Sequence, residues 1–198
     1  ADNRGRTVDM MAIEKCSYGL CKEFIENKTA EELNQTDNAG HSRLMHAVVA
    51  RDPKKVELLV AKGVDLNART KDGRTAMMYA VRMMDNVEVV ETLIKGGADI
   101  NLQDKDGQTA LMLAAKHGRM KVIERFIELG CDLTIKDRSG KTYMDYLSKS
   151  YIKDVRTKLS SKTNPPVKIG KPYKNKPKNN ENTEAVMYPK KEPPVCDL

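Results

Sequence analysis

Few residues in this 198-residue chain are of types that do chemistry, and they are scattered. There are three histidines, His41, His46 and His117, and four cysteines, Cys16, Cys21, Cys131 and Cys196. No two cysteines have zinc-ligand spacing, and no histidine has a thiol or carboxylate at ligand spacing beside it. Cys16 and Cys21 could close a short loop only in an oxidising compartment, and buried or idle thiols are the expected reading. His46 falls on a helix face turned to the rest of the fold, where a covered imidazole is expected. The paired acids Glu31-Glu32, and Asp85, fall on surface loops. No phosphate loop, GxSxG or HExxH occurs. The sequence therefore nominates no nucleophile, general base, metal site or cofactor, and the expectation is a chain that is not an enzyme.

Cationic side chains are the recurrent chemistry. The formal net charge is +7, from 35 Lys and Arg against 28 acids. Residues 161–198 hold eight Lys, no Arg and four acids, leaving 27 against 24 for the rest, so the excess is concentrated in the tail. A basic tail suits an acidic protein, an anionic membrane surface or nucleic acid. With no Arg and only Tyr173 and Tyr188 to stack on bases, nucleic acid is disfavoured. Seven of the eight prolines also lie in 165–194, so 161–198 reads as a disordered or extended tail. No apolar run reaches the ~18 residues of a membrane span. The start at Ala1 fits removal of an initiator Met, which leaves a cytoplasmic chain, or of a targeting segment, which leaves an exported or organellar one. The sequence leaves compartment open.

The elements that must position these cations repeat. Residues 37–47, 70–80, 104–114 and 137–147 match one another, with glycines at Gly40, Gly73, Gly107 and Gly140, spaced 33, 34 and 33. A second motif follows the first three, at 56–67, 89–101 and 122–134. A fixed period near 33 marks a solenoid. Only 5% of residues are aromatic and none is Trp, which is thin for one large core but suits small stacked layers of Leu, Ala and Met. Each unit reads as two short helices. Thr109 is placed as an N-cap, Gly63, Gly97 and Gly130 follow second helices, and the turn glycines join units. The predicted organisation is a degenerate N-terminal capping unit over 1–36, with helices at Val8–Lys15 and Leu20–Asn27. Three repeats follow over 37–136, then a C-terminal capping unit over 137–160, with helices at Lys141–Leu147 and Ile152–Leu159, and the tail.

Thr75-Ala76-Met77-Met78-Tyr79-Ala80 and Thr109-Ala110-Leu111-Met112-Leu113-Ala114 resemble the T-P-L-H-x-A motif of the ankyrin-repeat family. Gly97-Ala98-Asp99-Ile100-Asn101 and Gly63-Val64-Asp65-Leu66-Asn67 resemble its G-A-D-x-N. The likeness is clear over 37–147 and extends to about 6–160 with the degenerate ends. Ala, Arg or Tyr stands where the family has Pro, and Met or Asp where it has His. These departures remove the family's Thr–His bonding pattern, so the turns are expected to rest more on packing; the variant is similar to arrays common in bacteria. The resemblance implies an all-α ankyrin solenoid of helix-turn-helix units joined by hairpin-like turns. It also implies a protein-binding adaptor or regulator that grips its partner with hairpin tips and the inner face of the first helices.

Aligned on the turn glycine, the inner-face positions are Asn38, Lys71, Lys105 and Arg138 two before it, His41, Arg74, Gln108 and Lys141 after it, and Val49, Arg82, Lys116 and Lys149 at the first helix's end. Eight of these twelve are Lys or Arg, against two acids, Asp72 and Asp106, just before the glycine. A basic groove would steer an acidic protein partner, as monomer or within a larger complex. The third unit carries one extra residue, within Arg82-Met83-Met84-Asp85-Asn86, and an exposed Met pair there would make a binding hot spot. The candidate partner-binding residues are thus Lys71, Arg74, Arg82, Met83, Met84, Lys105, Gln108, Lys116, His117, Arg138 and Lys141. The alternative is nucleic-acid or anionic-surface binding assisted by the tail. Lys55, Glu91 and Lys121 are expected on the outer helices, away from any groove.

Overall fold

The computed structural model describes residues 1–83, 87–148 and 151–152. The tail expected over 161–198, nearly all of the second helix expected over 152–159, and Met84 and Lys149 lie outside the described residues.

Nine α-helices occur among the described residues: α1 Val8–Lys15, α2 Tyr18–Glu26, α3 Ala30–Leu33, α4 Arg43–Val49, α5 Pro53–Ala61, α6 Ala76–Met83, α7 Val87–Lys95, α8 Ala110–Lys116 and α9 Met120–Glu128. A 3-10 turn at Tyr143–Tyr146 replaces the helix expected in the last unit. Helices α1, α4, α6 and α8 and the 3-10 turn pack side by side as an inner row, and α2, α5, α7 and α9 as an outer one. Leu59, Leu93 and Phe126, at one position of successive outer helices, are all fully buried, so each layer closes on its neighbour. None of these helices is long enough to persist alone, which makes stacking a condition of their existence.

Side chains start the helices where the sequence places them. The hydroxyls of Ser42, Thr75 and Thr109 accept the backbone N–H of Met45, Met78 and Met112 at 3.4, 3.4 and 3.3 Å. Asp52 caps α5, with Pro53 in its first turn. The turns are held by polar bonds more than expected. Asp37, Asp104 and Asp137 each accept, through Oδ1, the N–H groups two and four residues on, at 2.8–3.0 Å. The same hairpin opens the chain: Gly5 has φ +75°, the Asp2 N–H donates to the Arg6 carbonyl, and Asp2 Oδ1 accepts from Arg4 and Arg6. The first unit is therefore fuller than its degenerate sequence suggested. Its signal, Asp2-Asn3-Arg4-Gly5-Arg6-Thr7, stands in register with the later turns.

Units are tied by two ladders. In one, the N–H groups of Asn38, Lys71, Lys105 and Arg138 donate to the carbonyls of Arg4, Ala39, Asp72 and Asp106 in the preceding hairpin, at 2.9–3.0 Å. In the other, the Oδ1 atoms of Asn34, Asn67 and Asn101 accept the N–H groups of Asp65, Asp99 and Asp132 in the following unit, at 2.8, 2.8 and 3.0 Å.

The first junction differs from the rest. Asp9 occupies a position filled by Leu44, Met77 and Leu111 in later units, and it pairs with Arg43, which is 1% exposed. Arg43 also donates to the carbonyls of Leu33 and Gln35 and to the Thr7 hydroxyl. Burial acts to raise the Asp9 carboxyl, but bonds from Arg43 and Thr7 and the Arg43 charge together hold it at about 2. Lys55, expected on the outer surface, is buried instead, because its ammonium donates to the Ile13 and Cys16 carbonyls at the end of α1, at 2.9 and 2.7 Å.

Two stability predictions follow from these contacts. A Cβ at Gly107, where φ is +77°, would lie 2.8 Å from the Arg138 nitrogen, whereas at Gly140, also left-handed, nothing among the described residues lies within 4 Å. Gly107→Ala should cost about 1–3 kcal/mol and Gly140→Ala about 1 kcal/mol, read by urea unfolding. Equal losses would mean that hairpin stacking adds nothing to backbone strain. Asp9→Leu alone strands a buried cation and should cost on the order of 3–5 kcal/mol. Combining it with Arg43→Ala should recover at least about 1 kcal/mol relative to the sum of the single losses, and strict additivity would deny the coupling.

Candidate functional site

The hairpins and the ends of the inner helices enclose a cavity of about 550 Å³ between the third unit and the last. Hairpins contribute Arg74 and Arg138, and the ends of α6 and α8 contribute Arg82, Lys116 and His117. The floor is Met78, Tyr79, Leu113 and Tyr146. Tyr79 and Tyr146 also line the site, although no charge marks them in the sequence. They occupy the variable position that also holds His46 and Leu113, on the inner face of the first helix.

The polar groups of this cavity are partly committed. Gln108 Nε2 donates to the Tyr146 hydroxyl at 3.2 Å, and that hydroxyl donates to Asp137 Oδ2. The Tyr146 bond, reinforced by the N–H groups of Lys141 and Ser139 against the cost of desolvation, holds the Asp137 carboxyl at about 2, and the same bond raises the Tyr146 phenol. Arg74 Nε stands 4.0 Å from buried Asp104. Arg82, Lys116 and Arg138 are exposed and make no ion pair within 4.0 Å among the described residues, and exposed Asp106 is the carboxylate facing them. His117 lies below the ordinary imidazole value of 6.5, first through desolvation and then through the charges of Arg82, Arg119 and Lys116.

Of the expected binding residues, the cavity brings together Arg74, Arg82, Gln108, Lys116, His117 and Arg138. Lys141 is exposed beside it, its Nζ 5.7 Å from the Tyr146 ring centre. Lys105 is exposed at a hairpin tip and does not line it. Lys71, equally exposed, lines a second cavity of about 590 Å³ with His41, His46 and Val49. Met83 is half-buried and packs on the core at the end of α6, which runs one residue further than α4 and α8. Met84 lies outside the described residues.

His46 is 6% exposed and its Nδ1 lies 2.6 Å from Glu14 Oε1, fastening the first unit to the second. Cys16, Cys21 and Cys131 are unbridged, and burial pushes the Cys131 thiol up to about 12, away from thiolate reactivity. Cys196 lies outside the described residues. Among the described residues no group of three or more His, Cys, Asp or Glu is placed to hold a metal ion, and no helix is long and apolar enough to cross a membrane.

A sequence model of ankyrin repeats, three copies long, matches residues 9–104 and 85–167. No curated protein matches this chain.

The clustering of cations makes His117 a reporter of the site. Its NMR titration should fall below 6.5, and Arg82→Gln or Lys116→Gln should each move it upward, since each removes a positive charge that opposes protonation. Because the unfolded chain keeps the ordinary value, His117 protonation favours unfolding, and its share of the stability is lost as pH falls through 6.5 toward the folded value. A downward shift on removing either cation would break the assignment.

Proposed function

Since this chain belongs to the ankyrin-repeat family, we propose that it binds an acidic protein partner along the basic groove formed by its hairpins and inner helices, without catalysis of its own. Ankyrin repeats are in general protein–protein interaction modules, and the finer reading is drawn from the groove. The observation that carries it is the gathering of Arg74, Arg82, Lys116 and Arg138 around one cavity where, among the described lining residues, Asp106 is the one exposed carboxylate. Of the other hairpin acids, Asp72 is exposed at a tip outside this cavity, while Asp37, Asp104 and Asp137 are turned to the backbone. Asp104 and Asp137 are buried with Oδ1 on N–H groups of their own turns; Asp137 Oδ2 takes the Tyr146 hydroxyl and Asp104 Oδ2 lies 4.0 Å from Arg74, so Arg82, Lys116 and Arg138 keep their charge toward a partner. Exposed charges of this kind speed association and fix orientation more than they deepen affinity, and they act over about 8 Å at physiological ionic strength.

The floor supports the same reading. Tyr79 and Tyr146 offer half-buried aromatic surface whose hydroxyls are held by His41 Nε2 at 3.1 Å and by Gln108 and Asp137. Rigid amphipathic rings beneath arginines are the surface on which interface energy concentrates.

The experiment is a charge reversal with a matched control. Arg74→Glu, Arg82→Glu and Lys116→Glu together should weaken binding of the partner captured by the wild-type chain at least tenfold, about 1.4 kcal/mol, while circular dichroism stays native. The control reverses Lys54, Lys95 and Lys121, exposed on the outer helices, with the same change in net charge. It should do far less. Equal weakening by the two triple variants would mark the groove as ordinary solvated surface. Binding that ignores the groove variant, falls steeply with salt and disappears on deleting 161–198 would favour the anionic-surface alternative.

A further inference from the structure

The third hairpin, residues 70–74, serves two cavities. Its Arg74 lines the basic cavity downstream, and its Lys71 lines the upstream cavity of about 590 Å³. The two share no lining residue, yet one bond joins them. Tyr79, in the floor of the downstream cavity, has its hydroxyl 3.1 Å from His41 Nε2 of the upstream one.

The carboxylates of the upstream cavity are committed to neighbouring groups. Glu14 meets Arg6 at 2.8 Å and His46 Nδ1 at 2.6 Å. Asp37 accepts N–H groups of its own turn and lies 3.1 Å from His41 Nδ1. Arg6 is paired with Asp2 as well as Glu14. Arg4 and Lys71 are left over: both are exposed, and neither makes an ion pair within 4.0 Å among the described residues. The backbone fixes their separation through the second hairpin. The Arg4 carbonyl accepts the Asn38 N–H, and the Lys71 N–H donates to the Ala39 carbonyl, both at 2.9 Å. Between the two cavities the sign changes, because Asp72 is exposed at the tip of the third hairpin. A polymer charged at every position would meet that carboxylate, whereas a chain with a neutral stretch there would pass it.

We propose that the upstream cavity is a second anion station, taking a further acidic cluster of the same partner segment whose other acids occupy the basic cavity downstream. This rests on the basic-groove reading above and adds an ordered pattern to it: two acidic clusters separated by a neutral gap that crosses the third hairpin. The upstream cavity is centred on the second hairpin and the downstream one on the fourth. Neighbouring inner helices pack roughly 8–10 Å apart, which puts the stations roughly 16–20 Å apart. An extended chain advances about 3.3 Å per residue, so the cluster centres stand about five to six residues apart. A segment that reaches both stations makes its second contact as an intramolecular step.

The test uses the full chain and three fluorescein-labelled peptides. One has two triglutamate clusters joined by Gly-Ser-Gly; in the others one cluster or the other is triglutamine. The two-cluster peptide should bind wild type about fivefold or more tightly than either single-cluster version. Arg4→Gln with Lys71→Gln should cut that gain below about twofold, as the second contact is lost. Lys54→Gln with Lys121→Gln, on exposed outer positions and with the same loss of charge, should leave it in place. No gain on wild type, or a gain that survives Arg4→Gln with Lys71→Gln, overturns the second station while leaving the basic cavity standing. So does a short single-stranded DNA that binds more tightly than the two-cluster peptide and loses more to the same variant, which would give the upstream surface to a phosphate polymer. Failure of the basic groove reads differently: neither single-cluster peptide binds, or their affinity ignores Arg82→Glu with Lys116→Glu, and the second station then falls with it.

Discussion

A single unit of this protein cannot satisfy its own polar groups or cover its own apolar face. The hairpin N–H groups at Asn38, Lys71, Lys105 and Arg138 find acceptors only in the preceding hairpin, and the N–H groups at Asp65, Asp99 and Asp132 only in an Asn of the preceding unit. These residues are exposed, so each bond adds a modest increment, repeated at every junction, that ties a unit to the one before it. The apolar layers work in the same direction, since Leu59, Leu93 and Phe126 are buried only by stacking. Helices of seven to nine residues persist because both requirements are met at once.

That dependence also explains which residues are interchangeable. The middle junctions are apolar, and several hydrophobic residues of similar volume could serve there. The first junction is polar, with Arg43 sealed against Asp9 and the carbonyls of Leu33 and Gln35, and Lys55 closing the end of α1. A buried cation with several acceptors tolerates no sliding. The arrangement ties the first unit to the second in one register, where stacked methyl groups alone would permit others.

The sign of the groove follows from the same economy of acids. Outside the tail the chain is nearly balanced, yet many of its carboxylates shape turns. Asp2, Asp37, Asp104 and Asp137 accept N–H groups of their own hairpins, and Asp65, Asp99 and Asp132 those of the loops after the outer helices. Lys71, Lys105 and Arg138 at the hairpin tips have no such task, and they are exposed. A cationic face emerges because one sign of charge is used inside the turns and the other is left at the surface.

Much of this was legible in the sequence because it is local and periodic. The spacing of Gly40, Gly73, Gly107 and Gly140 determines the unit, as left-handed φ is cheap for glycine and recurs wherever the turn does. Ser42, Thr75 and Thr109 mark where inner helices begin, because a hydroxyl beside free N–H groups acts within three residues. The turn at Asp2–Arg6 was legible by the same rule, in a stretch where the rest of the unit departs from the pattern. Periodicity also assigned Arg74, Arg82, Lys116 and Arg138 to one face. It could not tell that Arg43 and Lys55 turn inward, that Met83 joins the core, or that Lys71 and Lys105 stand apart from the basic cavity. Nor could it separate that cavity from the one beside Val49. Those outcomes depend on which carbonyl, carboxylate or void the neighbouring unit presents to a long side chain. A repeat places the Cα; only the stacked structure decides where a flexible cation ends.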